Sequence, residues 1–174
     1  MKTDASTSLD VQVTALKDRF REAMARVPAA VAVVTSIDEE GAHGTTVTAF
    51  TSLSVSPPMV LVSLDNNSTL LSIIRRTGRF GLNVLSAEQA SLATTFAGKG
   101  RGKFAGIEWT LDHEVPRIPE TIGWLACELA DLIPGGDHHI ALGNVLNVEP
   151  GGTSDSLTYQ LRTFGTHAGF PTSA

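Results

Sequence analysis

GTTVTAFTSLSVSPPMVLVSLD, running from Gly44 to Asp65, is the stretch whose reading decides the fold. Thr, Val and Phe favour a pleated, half-buried strand, and Gly44 to Ser54 is built almost wholly of such residues and small hydroxyls. Pro57-Pro58 interrupts the run, because proline has no N–H to give to a central ladder. Met59 to Leu64 then resumes as a second strand. Strand alternation places Thr46, Thr48, Phe50 and Ser52 on one face, and Thr45, Val47, Ala49, Thr51 and Leu53 on the other. One face is thus mostly hydroxyl. Such a face packs poorly as core but can lie flat beside a planar polar ligand; a solvated antiparallel face carries the same pattern.

On the N-terminal side, Val13, Leu16, Phe20, Ala23, Met24 and Val27 recur at helical spacing, and Pro28 closes that helix. Residues 1–12 read as a flexible tail. Ala30 to Ile37 reads as a strand that turns at Asp38-Glu39-Glu40-Gly41 into the next one. On the C-terminal side, Ser68 is the N-cap of a helix over Thr69 to Thr77 that Gly78 stops. Phe80 to Leu85 returns as strand. Ser86-Ala87-Glu88-Gln89 has the spacing of a capping box and opens a helix to Ala97. Ile107–Leu111, Gly123–Leu132, His139–Val148 and Leu157–Thr163 complete the strands, with turns at Pro134-Gly135-Gly136 and Pro150-Gly151-Gly152. Strands and helices do not alternate as in a doubly wound sheet. The expected fold is therefore mainly β with peripheral helices, a closed or nearly closed barrel forming a single domain over residues 13–170.

Composition narrows the function. The charge is −5 and the cations do not form long runs, which argues against nucleic acid as a partner. The longest apolar run, Ala29 to Val34, is too short to span a bilayer, and Met1 to Ser8 carries no apolar signal core. The single cysteine, Cys127, lies in an apolar strand-like run, which fits a buried thiol in a reducing cytoplasm. The five histidines show no metal-ligand spacing, and neither a GxGxxG after a strand nor a P-loop is present.

Three further segments carry candidate chemistry. Asp65-Asn66-Asn67-Ser68-Thr69 is a strand-to-helix turn whose amides and hydroxyls suit a phosphate, although Ser68 also serves as a simple cap. Gly98 to Lys103 sets Lys99, Arg101 and Lys103 on a glycine-rich backbone, able to close over a phosphate or to remain a solvated loop. Asp137-His138 follows a Gly-Gly turn, where a histidine can hold charge or position a substrate.

In their order these pieces resemble the flavin reductase family with the FMN-binding split-barrel fold, over about Phe20 to Gly165. The matching motifs are Phe20-Arg21 and Val33-Val34-Thr35; the Gly44 to Ser54 strand with Pro57-Pro58; Asn67-Ser68-Thr69; Phe80-Gly81-Leu82-Asn83-Val84-Leu85; Phe96-Ala97; Lys103-Phe104; and Gly136-Asp137-His138 leading to Gly143-Asn144-Val145. The resemblance implies a homodimeric NAD(P)H:flavin oxidoreductase that supplies reduced flavin to a partner monooxygenase. It implies FAD or FMN as acceptor, and NADH ahead of NADPH as donor. Flavin would lie along Thr46, Thr48, Ala49, Phe50, Thr51 and Ser52. Its phosphate side would meet Asp65, Asn66, Asn67, Ser68, Thr69, Arg101 and Lys103. The nicotinamide would stack near His138, the catalytic candidate, with Tyr159 also at the site. Two departures stand out. Thr45 replaces a common methionine, and Tyr159-Gln160-Leu161-Arg162-Thr163-Phe164-Gly165 lacks the usual Arg-Gly order. A non-catalytic flavin carrier of the same fold is the alternative. An oxidase of the pyridoxamine-phosphate type ranks lower, since its basic residues are not visible.

Overall fold

The computed structural model describes residues 3–170. Its helices are α1 (Thr3–Ala25), α2 (Thr69–Thr77) and α3 (Ala90–Ala97). Strands β1 (Ala29–Ala30), β2 (Ala32–Asp38), β3 (Gly41–Val47), β4 (Phe50–Val55) and β5 (Pro58–Asp65) precede α2, and β6 (Arg79–Val84) follows it. After α3 come β7 (Thr110–Asp112), β8 (Val115–Arg117), β9 (Gly123–Gly135), β10 (His138–Pro150), β11 (Leu157–Gln160) and β12 (Thr163–Thr166). No helix is long and apolar enough to cross a membrane among the described residues.

Seven antiparallel strands form the main sheet in the order β3-β2-β6-β9-β10-β5-β4. The outermost two, β3 and β4, are consecutive in the chain and joined only by Thr48-Ala49. A link that short spans roughly 10 Å, so the sheet must curl until its edges meet. The Ala49 carbonyl accepts from the Ser63 amide at 2.9 Å, tying the crossing to β5. The expected mainly-β split barrel is thus observed, but the stretch read as one strand from Gly44 to Ser54 is two, on opposite edges. Alternation does not survive the crossing. Val47 turns into the core, while Thr48 and Ala49 are exposed. The single hydroxyl face expected over Thr46 to Ser52 therefore does not exist.

The barrel interior holds Ala32, Val34, Val62, Leu64, Phe80 and Leu82, closed by Leu70, Leu71 and Ile74 of α2. Val33 on the other face of β2 packs with Ala93 and Phe96 of α3. With both faces covered, β2 opens on an unbroken apolar run, Ala32 to Val34. α2 begins at Ser68, whose hydroxyl accepts from the Leu71 amide, and ends at Gly78 in the left-handed region, as its sequence signals require. Gln89 Oε1 accepts from the Ser86 amide at 3.1 Å; the turn it stabilises is a 3-10 segment, Ala87–Gln89, leading into α3. Leu157 to Thr163, expected as one strand, is a hairpin of β11 and β12 that turns at Leu161-Arg162.

At the N-terminus, Met1 and Lys2 of the expected tail lie outside the described residues, and the helix starts at Thr3 rather than near Val13. Nothing between Thr3 and Val13 is glycine or proline, so no residue there stops helix propagation. The apolar stripe on α1 has no cover among the described residues: Leu16 is 60% and Phe20 64% exposed.

Candidate functional site: a groove at the barrel seam

The seam where β3 and β5 approach opens into a groove of about 760 Å³, a volume suited to a small-molecule ligand. One wall is β3 with the segment after α3, contributing His43, Thr45, Thr46, Ala97, Gly98, Lys99, Gly100 and Lys103. The opposite wall is the end of β5 and the start of α2, with Ser63, Leu64, Asp65, Asn67, Ser68 and Thr69. The crossing residues Val47, Thr48 and Ala49 line it too, and His138 contributes from the first position of β10.

Each wall is fixed by local hydrogen bonds. Thr46 donates to the Ala93 carbonyl at 2.7 Å, so its hydroxyl anchors α3 against β3. Lys103 Nζ donates to the carbonyls of Gly44 at 3.1 Å and Phe96 at 2.9 Å, pinning the glycine-rich loop to β3 and the end of α3. Partial burial lowers the Lys103 pKa. Asp65 accepts from the Asn67 amide at 2.7 Å and shapes the turn before α2.

His138 pairs with Asp65 in the β5–β10 register, which sets it at the groove. Its Nδ1 lies 2.7 Å from Asp137 Oδ1. A carboxylate only accepts, so Nδ1 carries the proton and Nε2 is left for a ligand. The same hydrogen bond holds the Asp137 carboxyl below its usual range. Asn66 clasps this hairpin to α2: its amide donates to the Asp137 carbonyl at 3.0 Å, and its Nδ2 to the Gly136 carbonyl at 3.3 Å. Its Oδ1 meets His139 Nδ1 at 2.6 Å, while Arg75 lies 3.0 Å from His139 Nε2. Arginine only donates, so His139 accepts at Nε2 and donates from Nδ1.

Of the residues expected at the site, the groove gathers Thr46, Thr48, Ala49, Asp65, Asn67, Ser68, Thr69, Lys103 and His138. Six others fall outside its lining. Phe50 packs against the barrel core. Thr51 and Ser52 are exposed on the edge strand β4. Asn66 is spent on the hairpin clasp. Arg101 pairs with Glu40 at 2.6 Å. Tyr159 packs 5.1 Å from Phe164 in the β11–β12 hairpin.

The residue that sequence reasoning missed is His43. It is only 6% exposed, on β3 and in the groove wall. Its pKa is lowered by burial first, then by the charges of Lys103 and Arg101, against the pull of Asp38. Beside an expected turn, a lone histidine carries no sequence signal that separates it from a surface residue.

The groove thus joins hydroxyls, helix-start amides, two lysines and two histidines at a barrel seam, a donor set that fits a flat ligand with an anionic tail. That defines a class of split-barrel proteins with a seam ligand site. Residues 24–168 match the flavin reductase like domain family, and the chain belongs to that family. The reductase component of 4-nitrophenol 4-monooxygenase/4-nitrocatechol 2-monooxygenase from Rhodococcus opacus is 36% identical, covering 86% of this chain and 80% of that protein. An NADH-dependent flavin reductase from a Rhodococcus species is 34% identical, covering 82% of this chain and 81% of its own length. Among solved structures, the NADH:FAD oxidoreductase SgcE6 of Streptomyces globisporus, in complex with NAD and FAD fragments, superposes with a TM-score of 0.84. It is 28% identical over 91% of this chain and 95% of that one. The family and enzyme class that the sequence resemblance implied are borne out.

Proposed function

We propose that the protein is the NADH:flavin oxidoreductase of a two-component system, reducing FAD or FMN in the seam groove and passing it to a separate monooxygenase. The observation that carries this reading is the convergence of the Thr45 to Ala49 crossing, the lysine-bearing loop and His138 on one groove. Bound together there, flavin and nicotinamide would supply the hydride transfer themselves. The chain orients them and excludes water. The backbone and hydroxyls of Thr45, Thr48 and Ala49 would hold the ring, and Lys99, Lys103 and the start of α2 would hold the phosphate. His138, its tautomer set by Asp137, would offer Nε2 to the nicotinamide.

The partner in solution would be a second copy of this chain. The uncovered stripe of Val13, Leu16, Phe20 and Met24 on α1 and Val27 just after it, with Leu53 and Val55 exposed on β4, supports a homodimer, since large exposed apolar patches mark interaction surfaces. A cytoplasmic location fits the buried, unpaired Cys127.

The test is steady-state kinetics of His138→Ala with NADH and FAD or FMN. The expected result is a raised KM for NADH or a lower kcat, with flavin affinity kept within about twofold. Unchanged kcat and KM would remove His138 from the reaction.

A further inference from the structure

We infer that His43 is a flavin-binding residue that recognises the phosphate, and so sets the preference of this groove for FMN and FAD over riboflavin. The inference rests on the flavin reading above and adds a residue to it. His43 is nine-tenths buried, yet neither ring nitrogen hydrogen-bonds to any of the described residues. The ring is not sealed from the groove: among the described residues the fully buried side-chain polar atom left without a partner is Trp124 Nε1, so from the groove wall the unbonded nitrogens of His43 can take a ligand as their partner.

The charge around it selects the kind of partner. Lys103 and Arg101 act on the ring from the loop after α3, and Asp38 from the end of β2. Arg101 is itself paired with Glu40 and Asp38 with Arg76, whereas Lys103 is held by two neutral carbonyls and has no carboxylate partner among the described residues. This corner is therefore net attractive to an anion. It also disfavours a proton on His43, leaving a neutral ring with one N–H and one lone pair. A phosphate oxygen fits both features: it accepts the N–H, and its negative charge offsets the cations that resist protonation of the ring. The phosphate monoester of FMN and the diphosphate of FAD share that chemistry, and riboflavin lacks it.

The test uses the full-length protein and measures dissociation constants for FMN, FAD and riboflavin by flavin fluorescence at pH 7. Wild type, His43→Ala and His43→Gln are compared, with circular dichroism and elution volume as checks of folding. His43→Ala should weaken FMN or FAD roughly ten- to a hundredfold, the range for a lost hydrogen bond to a charged group, and leave riboflavin within about twofold. Selective loss for FMN alone or FAD alone identifies which phosphate the corner reads. His43→Gln, which keeps a donor and an acceptor, should recover part of the loss, and it carries the test if His43→Ala fails to fold. Equal weakening of all three flavins, or no change in any, overturns the assignment to phosphate. Wild type that binds none of the three overturns the flavin reading itself.

Discussion

Gly44→Ala is the sharpest probe of how the groove is built. A Cβ at Gly44 would sit 2.8 Å from Phe96 Cε1, 2.9 Å from Cδ1 and 3.2 Å from Val33 Cγ1, where ordinary contact begins at 3.4 Å. Phe96 and Val33 are both fully buried, so the overlap of up to about 0.6 Å has no solvent to move into. Overpacking of this kind costs about 1–3 kcal/mol. For a chain of this size each kcal/mol lowers Tm by about 2–4 °C, so a fall of about 2–12 °C is expected at fixed protein concentration. The groove should suffer as well, because Lys103 bridges the carbonyls of the two clashing residues. Flavin affinity should therefore drop with stability. Phe96→Leu in the same chain makes room, so the double variant should melt higher than the sum of the single effects allows. Thermal melts of the four proteins close the cycle. A Gly44→Ala protein that melts like wild type, or strict additivity in the cycle, would refute the proposed packing of α3 against β3.

Thr46→Val, near in shape, removes the bond to the Ala93 carbonyl and should cost about 1 kcal/mol, read as a Tm loss of a few degrees; an unchanged Tm would mean that the hydroxyl does not hold α3. His43 makes stability pH-dependent in a defined direction. Its folded pKa lies below the usual 6.5, so the unfolded chain binds the proton more readily and stability falls as pH drops through 6.5, levelling off below the folded value. His43→Gln should flatten that part of the ligand-free Tm profile, and an identical slope would contradict the assignment. Cys127 is buried with its thiol pushed up to about 12; it should resist a thiol reagent in the native protein and react fully on unfolding, whereas fast native labelling would show that strand β9 opens.

What was legible in the sequence was local. Ser68 and Gly78 bounded α2 because capping is decided within one turn of the chain. The β2–β3 hairpin followed from an acidic glycine turn between β-branched runs. The break at Thr48-Ala49 was not legible: no glycine or proline marks it, and it exists only because two sheet edges meet there when the barrel closes. That single event split the hydroxyl strand and removed Phe50, Thr51 and Ser52 from the groove. The turn at Leu161-Arg162 was hidden for a related reason. Both residues take positive φ, 49° and 62°, where glycine or asparagine would have been the signal. His43 gains its meaning only from burial and from neighbours on the loop after α3, which lie far from it in sequence.

The central claim is that the seam groove reduces flavin at the expense of NADH. The measurement that meets it directly is the loss of NADH absorbance on adding purified protein, with FAD, FMN or no flavin in parallel. The account predicts turnover that depends on added flavin and saturates with it. NADH that stays unoxidised while flavin binds would contradict the account and leave a carrier of the same fold.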